Sequence, residues 1–283
     1  MARHVAVVTD STAYLPPEML EKHHVTVVPL TVVLDGQALE EGTGITAPAL
    51  AQALRKHLPV TTSRPSPETF AAAYRAIAEA DEDLDGIVSL HLSSEVSGTY
   101  DAAVLAAREA PLPVRVVDTG MVAMALGFCA LAAAGTAGAG GTLDEIAAVA
   151  EERAGRTTAH FYVDTLDYLR RGGRIGAGQA LLGSALAVKP LLELAEGRIG
   201  MVEKVRTASR AIARLEELAV QSASDADVDI AVHHLAAPER ADRLARNLRE
   251  RVPGLVDLHV SEVGAVIGAH TGPGLLGVVT SRR

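Results

Sequence analysis

Short runs of aliphatic and β-branched residues alternate with longer Ala/Leu-rich stretches through the first half of the chain. That is the pattern of βαβ units on a largely parallel sheet. Candidate strands are His4 to Val8, Gly86 to His91 and Val114 to Val117, running respectively into Thr9-Asp10-Ser11-Thr12, Ser93-Ser94 and Asp118-Thr119. Ligands of open α/β sheets bind beyond the carboxyl ends of strands, so these polar ends are candidate site walls. Pro67 to Ala80 and Ser97 to Arg108 read as helices, the first opened by Ser66 as N-cap with Pro67 at the first helical position. Met121 to Ala134 is 14 residues without a polar side chain, short of the roughly 20 that cross a bilayer, and reads as a buried helix. Gly135, Gly138, Gly140 and Gly141 then interrupt helical periodicity before a helix from Leu143 to Ala154.

The domain boundary is placed after that helix, giving residues 1–156 and 157–283. The second half is α+β with a mixed sheet: a strand at His160 to Val163, a short helix from Leu166 to Arg171 ending at Gly172-Gly173, and a hairpin around Glu196-Gly197. A helix near Ala208 to Gln221, a strand at Asp229 to His233, a helix from Pro238 to Arg251 and β-like runs complete it.

Composition narrows the function. With 26 Lys and Arg against 35 Asp and Glu the net charge is −9, which disfavours nucleic acid as a partner. The lone Cys129 and the absence of CxxC spacing fit a reducing cytosol and give no support to a metal site. Met1-Ala2-Arg3-His4 leads straight into Val5 to Val8 and leaves no room for the apolar core of a signal peptide, so the protein is expected in the cytoplasm. Aromatic residues are only 3% with no Trp, so a large cavity would be walled by aliphatic side chains and suit an aliphatic ligand.

Several segments carry candidate chemistry. Thr61-Thr62-Ser63-Arg64-Pro65-Ser66 places four hydroxyls ahead of a helix, and Ser93-Ser94-Glu95-Val96-Ser97-Gly98-Thr99-Tyr100 repeats that chemistry between a strand and a helix. Hydroxyls with helix-start amides make a neutral donor nest for a carboxylate or phosphate. For the first segment alone a capped loop is the favoured reading. Neither contains a P-loop or a GxSxG elbow, so these serines read as ligand donors more than nucleophiles. Gly268 to Gly274 reads as a rigid Gly/Pro loop carrying His270, which either donates to an anionic head group or bonds structurally. Arg170-Arg171-Gly172-Gly173-Arg174 and Lys204-Val205-Arg206 are basic segments in an acidic chain, able to meet a phosphate or an acidic partner; for Arg170 and Arg171 a helix C-terminus complementing its dipole is favoured. Asp10 sits where an aspartyl nucleophile would, but with Thr12 two residues on a capping or turn role is favoured. Gly176-Ala177-Gly178 lacks the closing glycine of a dinucleotide turn and is discarded, and His23-His24 and His233-His234 are assigned no function.

Taken together, Val7 to Thr12, Thr62 to Ser66, Ser93-Ser94 with Ser97 to Tyr100, Asp164-Thr165-Leu166 with Gly172 to Ile175, and His270 to Gly274 resemble the DegV family, which includes the fatty-acid-binding subunits of bacterial fatty acid kinase. The resemblance runs in order over essentially the whole chain. It implies an α/β fold of two domains, an N-terminal α/β/α domain with a parallel sheet and a C-terminal α/β domain with a mixed sheet, with a long-chain fatty acid enclosed between them. It implies a carboxylate held at Thr62, Ser63, Ser94 and His270, with Ser97, Gly98 and Thr271 beside them. It further implies a separate ATP-binding kinase subunit that phosphorylates the bound carboxylate, met through Arg206 and Arg174, with no catalytic residue, metal or cofactor in this chain. Arg64 stands where the family commonly has Gln and Val96 where Leu is usual. The alternatives are a free-standing phosphoryl- or acyl-transfer enzyme using Asp10 or a loop serine, and a regulatory lipid-binding protein without a kinase partner.

Overall fold

A computed structural model describes residues 4–175 and 188–283; the discarded Gly176-Ala177-Gly178 lies outside them. The chain forms two compact units. One comprises the chain up to Thr31 and Ser63–Gly155; the other comprises Val32–Thr62 and Arg156–Arg283. Where the sequence suggests a single cut at 156/157, the segment Val32–Thr62 therefore groups with the C-terminal half.

The first unit is built on a parallel sheet, β1 (Val5–Asp10), β2 (Val25–Val28), β6 (Gly86–His91) and β7 (Val114–Asp118), in the order β2-β1-β6-β7. Chain order reverses between β1 and β6, so their carboxyl ends form the switch point of an open α/β sheet. Helices α3 (Pro67–Ala80) and α4 (Thr99–Ala107) cover one face, where Phe70, Tyr74, Ala102, Ala103 and Ala106 pack on Val8 and Ile87. Helices α5 (Met124–Gly138) and α6 (Leu143–Gly155) pack against β1, β6 and β7. The helix α3 starts where its sequence says it should: Ser66 Oγ accepts from Thr69 N at 3.2 Å and Pro67 occupies the first helical position. α5 runs through Gly135 to Gly138 instead of ending before them, because its apolar surface is buried over most of its length. A short helix α1 (Pro17–His23) completes the unit.

In the second unit the segment from Val32 contributes most of β3 (Thr31–Leu34), β4 (Gln37–Glu40), α2 (Ala47–Arg55) and β5 (Val60–Ser63), with strand order β4-β3-β5. Asp35 and Gly36, both at positive φ, make the tight turn between β3 and β4. The remainder is a six-stranded sheet of order β10-β9-β8-β13-β11-β12. Its strands are β8 (Thr157–Tyr162), β9 (Lys189–Ala195), β10 (Arg198–Val205), β11 (Val228–His234), β12 (Leu255–Glu262) and β13 (Leu276–Arg282). Only β11 and β12 pair in parallel. The β9–β10 hairpin turns at Glu196-Gly197, both at positive φ. Helices α8 (Ala208–Ala223) and α9 (Pro238–Arg251) bury Leu215, Ala219, Leu244 and Leu248 against Ile230, Val232 and Val278. Two short helices, α7 (Asp167–Arg171) and α10 (Ala265–Thr271), stand outside that layer. The architecture is thus α/β with a parallel sheet and a mixed sheet, and no helix among the described residues is long and apolar enough to cross a membrane.

A single buried acid couples the two pieces of the second unit. Glu41 Oε1 accepts from Val266 N, in the first turn of α10, at 2.7 Å. Close packing reinforces it, since a Cβ on Gly268 would press on Leu50 of α2 and on Leu235. Removing the acceptor leaves a buried N–H unpaired. Glu41→Ala is therefore expected to lower unfolding stability by about 1–3 kcal/mol, measured as a lower urea midpoint by circular dichroism; an unchanged midpoint would show that the bond contributes nothing.

Candidate functional site

Strand alternation selects one hydroxyl from the run at 61–66. Along β5, Val60 and Thr62 are partly buried while Thr61 and Ser63 are exposed, as the two faces of a strand require. Thr62 Oγ1 lies 2.8 Å from His270 Nε2. Ser63 Oγ donates to its neighbour's carbonyl, Arg64 O, at 3.2 Å, and Ser66 caps α3, which is the plain role its position allowed.

His270 is in the last turn of α10, not in a loop; Gly268 is tolerated inside this helix because Leu50 and Leu235 occupy the space its side chain would take. The imidazole sits against Gly172, where any Cβ would overlap its Nδ1 edge. The same interlock recurs twice nearby, because a Cβ on Gly272 would overlap the Tyr168 ring and one on Gly274 the Asp164 carboxylate. Asp164 in turn accepts a hydrogen bond from Tyr162 Oη. The segments 164–174 and 268–274 therefore define each other's path, and the paired Gly-rich stretches of the sequence are two halves of one cradle. Thr271 is buried and donates to Ile267 O at 3.0 Å, a bond internal to its helix.

Burial drives the His270 pKa down to about 4, and the positive charge of Arg174 adds to the shift. The ring is therefore neutral at physiological pH. Arg174 itself is partly buried, donates to Gly172 O, and has its own pKa lowered by desolvation. Arg206, exposed between β10 and α8, is in a different setting. A neutral imidazole hydrogen-bonded to a hydroxyl makes a short relay of uncharged donors. With the proton on Nε2 the ring donates to Thr62, which leaves the threonine O–H able to donate in turn to a further acceptor. A nearby guanidinium adds long-range attraction.

In the first unit the loop after β6 carries Ser93, Ser94, Ser97 and Gly98. The amide nest expected there is already occupied by the protein. Leu92 N donates to Asp10 Oδ2 (2.9 Å), Ser93 N to Met121 O (3.0 Å), Ser94 N to Asp118 Oδ1 (3.2 Å) and Glu95 N to Ser93 Oγ (3.2 Å). Val96 N and Ser97 N both donate to Ser93 O. The donors left over in this loop are side-chain hydroxyls: Ser94 presents an exposed one, whereas Ser97 Oγ accepts from Thr99 N and bonds Thr99 Oγ1. Gly98 is the seat of Arg64, whose Nη1 donates to Gly98 O at 3.1 Å and fills the space of a Gly98 side chain.

Asp10 is a cap. Both oxygens are taken, Oδ1 by Thr12 N and Oγ1, Oδ2 by Leu92 N and His91 Nδ1, and the side chain is wholly buried. Behind it lies a feature that sequence reasoning missed. Tyr74 Oη donates to Ser89 Oγ (2.9 Å), Ser89 lies 2.8 Å from His91 Nε2, and His91 Nδ1 lies 3.1 Å from Asp10. Nδ1 faces the Asp10 carboxylate, an acceptor, so that ring nitrogen carries the proton of the pair. Serine, histidine and aspartate stand in triad order, yet each is 0% exposed, so no substrate reaches them. The signal was present: Ser89 and His91 are alternate residues of an otherwise apolar strand and so share a face. No group of His, Cys, Asp and Glu among the described residues is arranged to hold a metal.

The DegV family model matches residues 4–283. The chain belongs to the DegV family. A DegV domain-containing protein of Streptomyces coelicolor is 74% identical over 283 residues, all of both chains. Protein DegV of Bacillus subtilis is 38% identical over 280 residues, covering 97% of this chain and 98% of its own. Among solved structures, a DegV family protein from Thermus thermophilus, described by its fatty acid binding, superimposes with TM-score 0.91 at 35% identity over 99% of this chain and 100% of its own. DegV of B. subtilis, described as a fatty acid binding protein, does so with TM-score 0.90 at 35% identity over the same shares.

Because the folded-state pKa of His270 is below the ordinary 6.5, unfolding takes up protons between about 6.5 and about 4. The neutral ring's contribution is whole above pH 6.5 and is lost as pH falls through about 4. Gly172 has φ −72°, which alanine adopts freely, so Gly172→Ala acts by displacing the ring. We expect the His270 titration midpoint, followed by NMR, to rise from about 4 toward 6.5 in that variant, and the acid-side loss of stability to shrink. An unmoved midpoint would mean the cradle does not hold the ring.

Proposed function

We propose that this protein binds a long-chain fatty acid and presents its carboxylate to a separate ATP-dependent kinase subunit for acyl phosphate formation. The observation that carries the binding half is the Thr62–His270 pair, an uncharged donor relay beside the Arg174 charge. A buried carboxylate is tolerated only where fixed donors replace its water. Relatives described as fatty acid binding proteins support the ligand class. Ser94 is proposed as a further head-group donor on the family resemblance and its exposed hydroxyl, and Ser63, Ser97, Gly98 and Thr271 as further ligand-binding residues on the resemblance alone. Each buried methylene of the tail adds about 0.8 kcal/mol, so an aliphatic chain supplies most of the affinity.

The kinase half rests on the resemblance, in which Arg206 meets the partner; its exposure fits that role. Arg174 is proposed to serve the same encounter from beside the head group, where its charge attracts an anion. We place this function in the cytoplasm. The enzyme reading on Asp10 loses its support, since that carboxylate is enclosed and saturated with hydrogen bonds.

Mass spectrometry of lipid extracted from the purified protein, against a mock preparation, is expected to show a stoichiometric fatty acid; an empty protein that also fails to bind added fatty acid would overturn the proposal. Thr62→Val and His270→Ala are each expected to weaken fatty acid binding roughly ten- to hundredfold, the effect of losing a hydrogen bond to a charged group. Arg206→Ala is expected to leave binding intact and to suppress phosphorylation by the kinase subunit. Loss of lipid in Arg206→Ala would move that residue from the partner surface to the pocket.

A further inference from the structure

Two carboxylates flank the loop that carries Ser94, one from each strand beside β6. Asp10, ending β1, accepts from Leu92 N at 2.9 Å, and Asp118, ending β7, accepts from Ser94 N at 3.2 Å. Between them Ser93 N donates to Met121 O at 3.0 Å, so three successive amides of the loop are tied to neighbouring segments. Each carboxylate also fixes its own turn: Asp10 takes Thr12 N at 3.0 Å and Asp118 takes Gly120 N at 3.0 Å. On the β7 side Thr119 returns the connection, its Oγ1 donating to His91 O at 2.9 Å. The Tyr74–Ser89–His91 chain then fixes Asp10 from behind.

We propose that Asp118, with Asp10, is a positioning residue for Ser94: its carboxylate grips the Ser94 backbone N–H and so aims the Ser94 hydroxyl at the ligand's head group. The proposal rests on the reading of Ser94 as a head-group donor. Its physical basis is directional. A serine hydroxyl on an exposed loop samples several rotamers and backbone positions, and a fixed backbone removes most of that freedom before the ligand arrives. Asp118 is the better handle for a test because it is only partly buried, whereas Asp10 is built into the core. Hydrogen-bond geometry, not charge, carries the effect, so an Asn that keeps one acceptor oxygen should substitute for it.

The experiment is a double-mutant cycle on the delipidated full-length protein, titrated with oleate against a fluorescent fatty acid probe. Ser94→Ala, Asp118→Ala, their combination and Asp118→Asn are compared. Asp118→Ala is expected to weaken binding about fivefold, as loss of one neutral-strength hydrogen bond would, and to add nothing in the Ser94→Ala background. Asp118→Asn is expected to stay within about twofold of wild type. A merely destabilising change would weaken binding equally in both backgrounds, and that additivity would overturn the proposal. No loss in Asp118→Ala while Ser94→Ala binds weakly overturns it as well and leaves the reading of Ser94 standing. If Ser94→Ala binds like wild type, the reading of Ser94 falls and the proposal with it.

Discussion

Thr62 and His270 are 208 residues apart in sequence and 2.8 Å apart in space, and two distant segments of the second unit must be held in place for that bond to form. A strand must deliver Thr62 with the right parity, and a helix must end with the imidazole turned toward it. The helix is short, seven residues, and gets no side-chain cap from its own Gly264. Alone it would be marginal. Glu41 supplies the missing acceptor from the same segment that carries Thr62, and Leu50 packs into the gap at Gly268. The distant segment therefore stabilises the helix at its start and uses it at its end, so that a hydrogen bond, a cap and a close apolar contact are one cooperative device.

Local chemistry made much of this architecture readable. Ser66 with Pro67, the apolar run of β6 and the Glu196-Gly197 turn each state their conformation within a few residues, and the structure agrees. What could not be read was set by tertiary contact. Gly264, Gly268 and Gly272 punctuate 264–272 like a loop, yet it is a helix, with Glu41 accepting at its start and Leu50 and Leu235 packed at Gly268. Residues 32–62 likewise join the second unit through distant pairings such as Glu41–Val266 and Thr62–His270, which no window of sequence contains. At the candidate site the residue types were legible and their occupancy was not. The run Ser93 to Ser97 reads as an amide nest, yet nearby acceptors fill it, and of the hydroxyls near 61–66 strand parity singles out Thr62.

The polar interior of the first unit has a structural logic that a purely apolar core would not supply. Four polar side chains from α3, β6 and β1 are hydrogen-bonded in sequence under the sheet's switch point, each fully buried. A hydrophobic replacement of similar volume could pack as well, so stability alone is weak reason for such a chain. Its terminal oxygens do what apolar atoms cannot: they hold Thr12 and Leu92, the entries of two loops, in a fixed relation. A network of this kind gives up packing freedom for a unique geometry at the sheet edge.

An acidic chain with a net charge of −9 is an unpromising host for an anion. The resolution lies in how its carboxylates near the candidate residues are used. Asp10, Asp118 and Glu41 each accept backbone N–H groups, and Asp164 accepts the Tyr162 hydroxyl. Donors gathered around a carboxylate place positive ends of dipoles against it and weaken its field at short range. At Thr62 the groups brought together are a hydroxyl and a neutral imidazole that feels the Arg174 charge. Negative residues thus shape the loops while neutral and positive ones surround Thr62, and the sign of the whole chain says little about the sign of the field at that point.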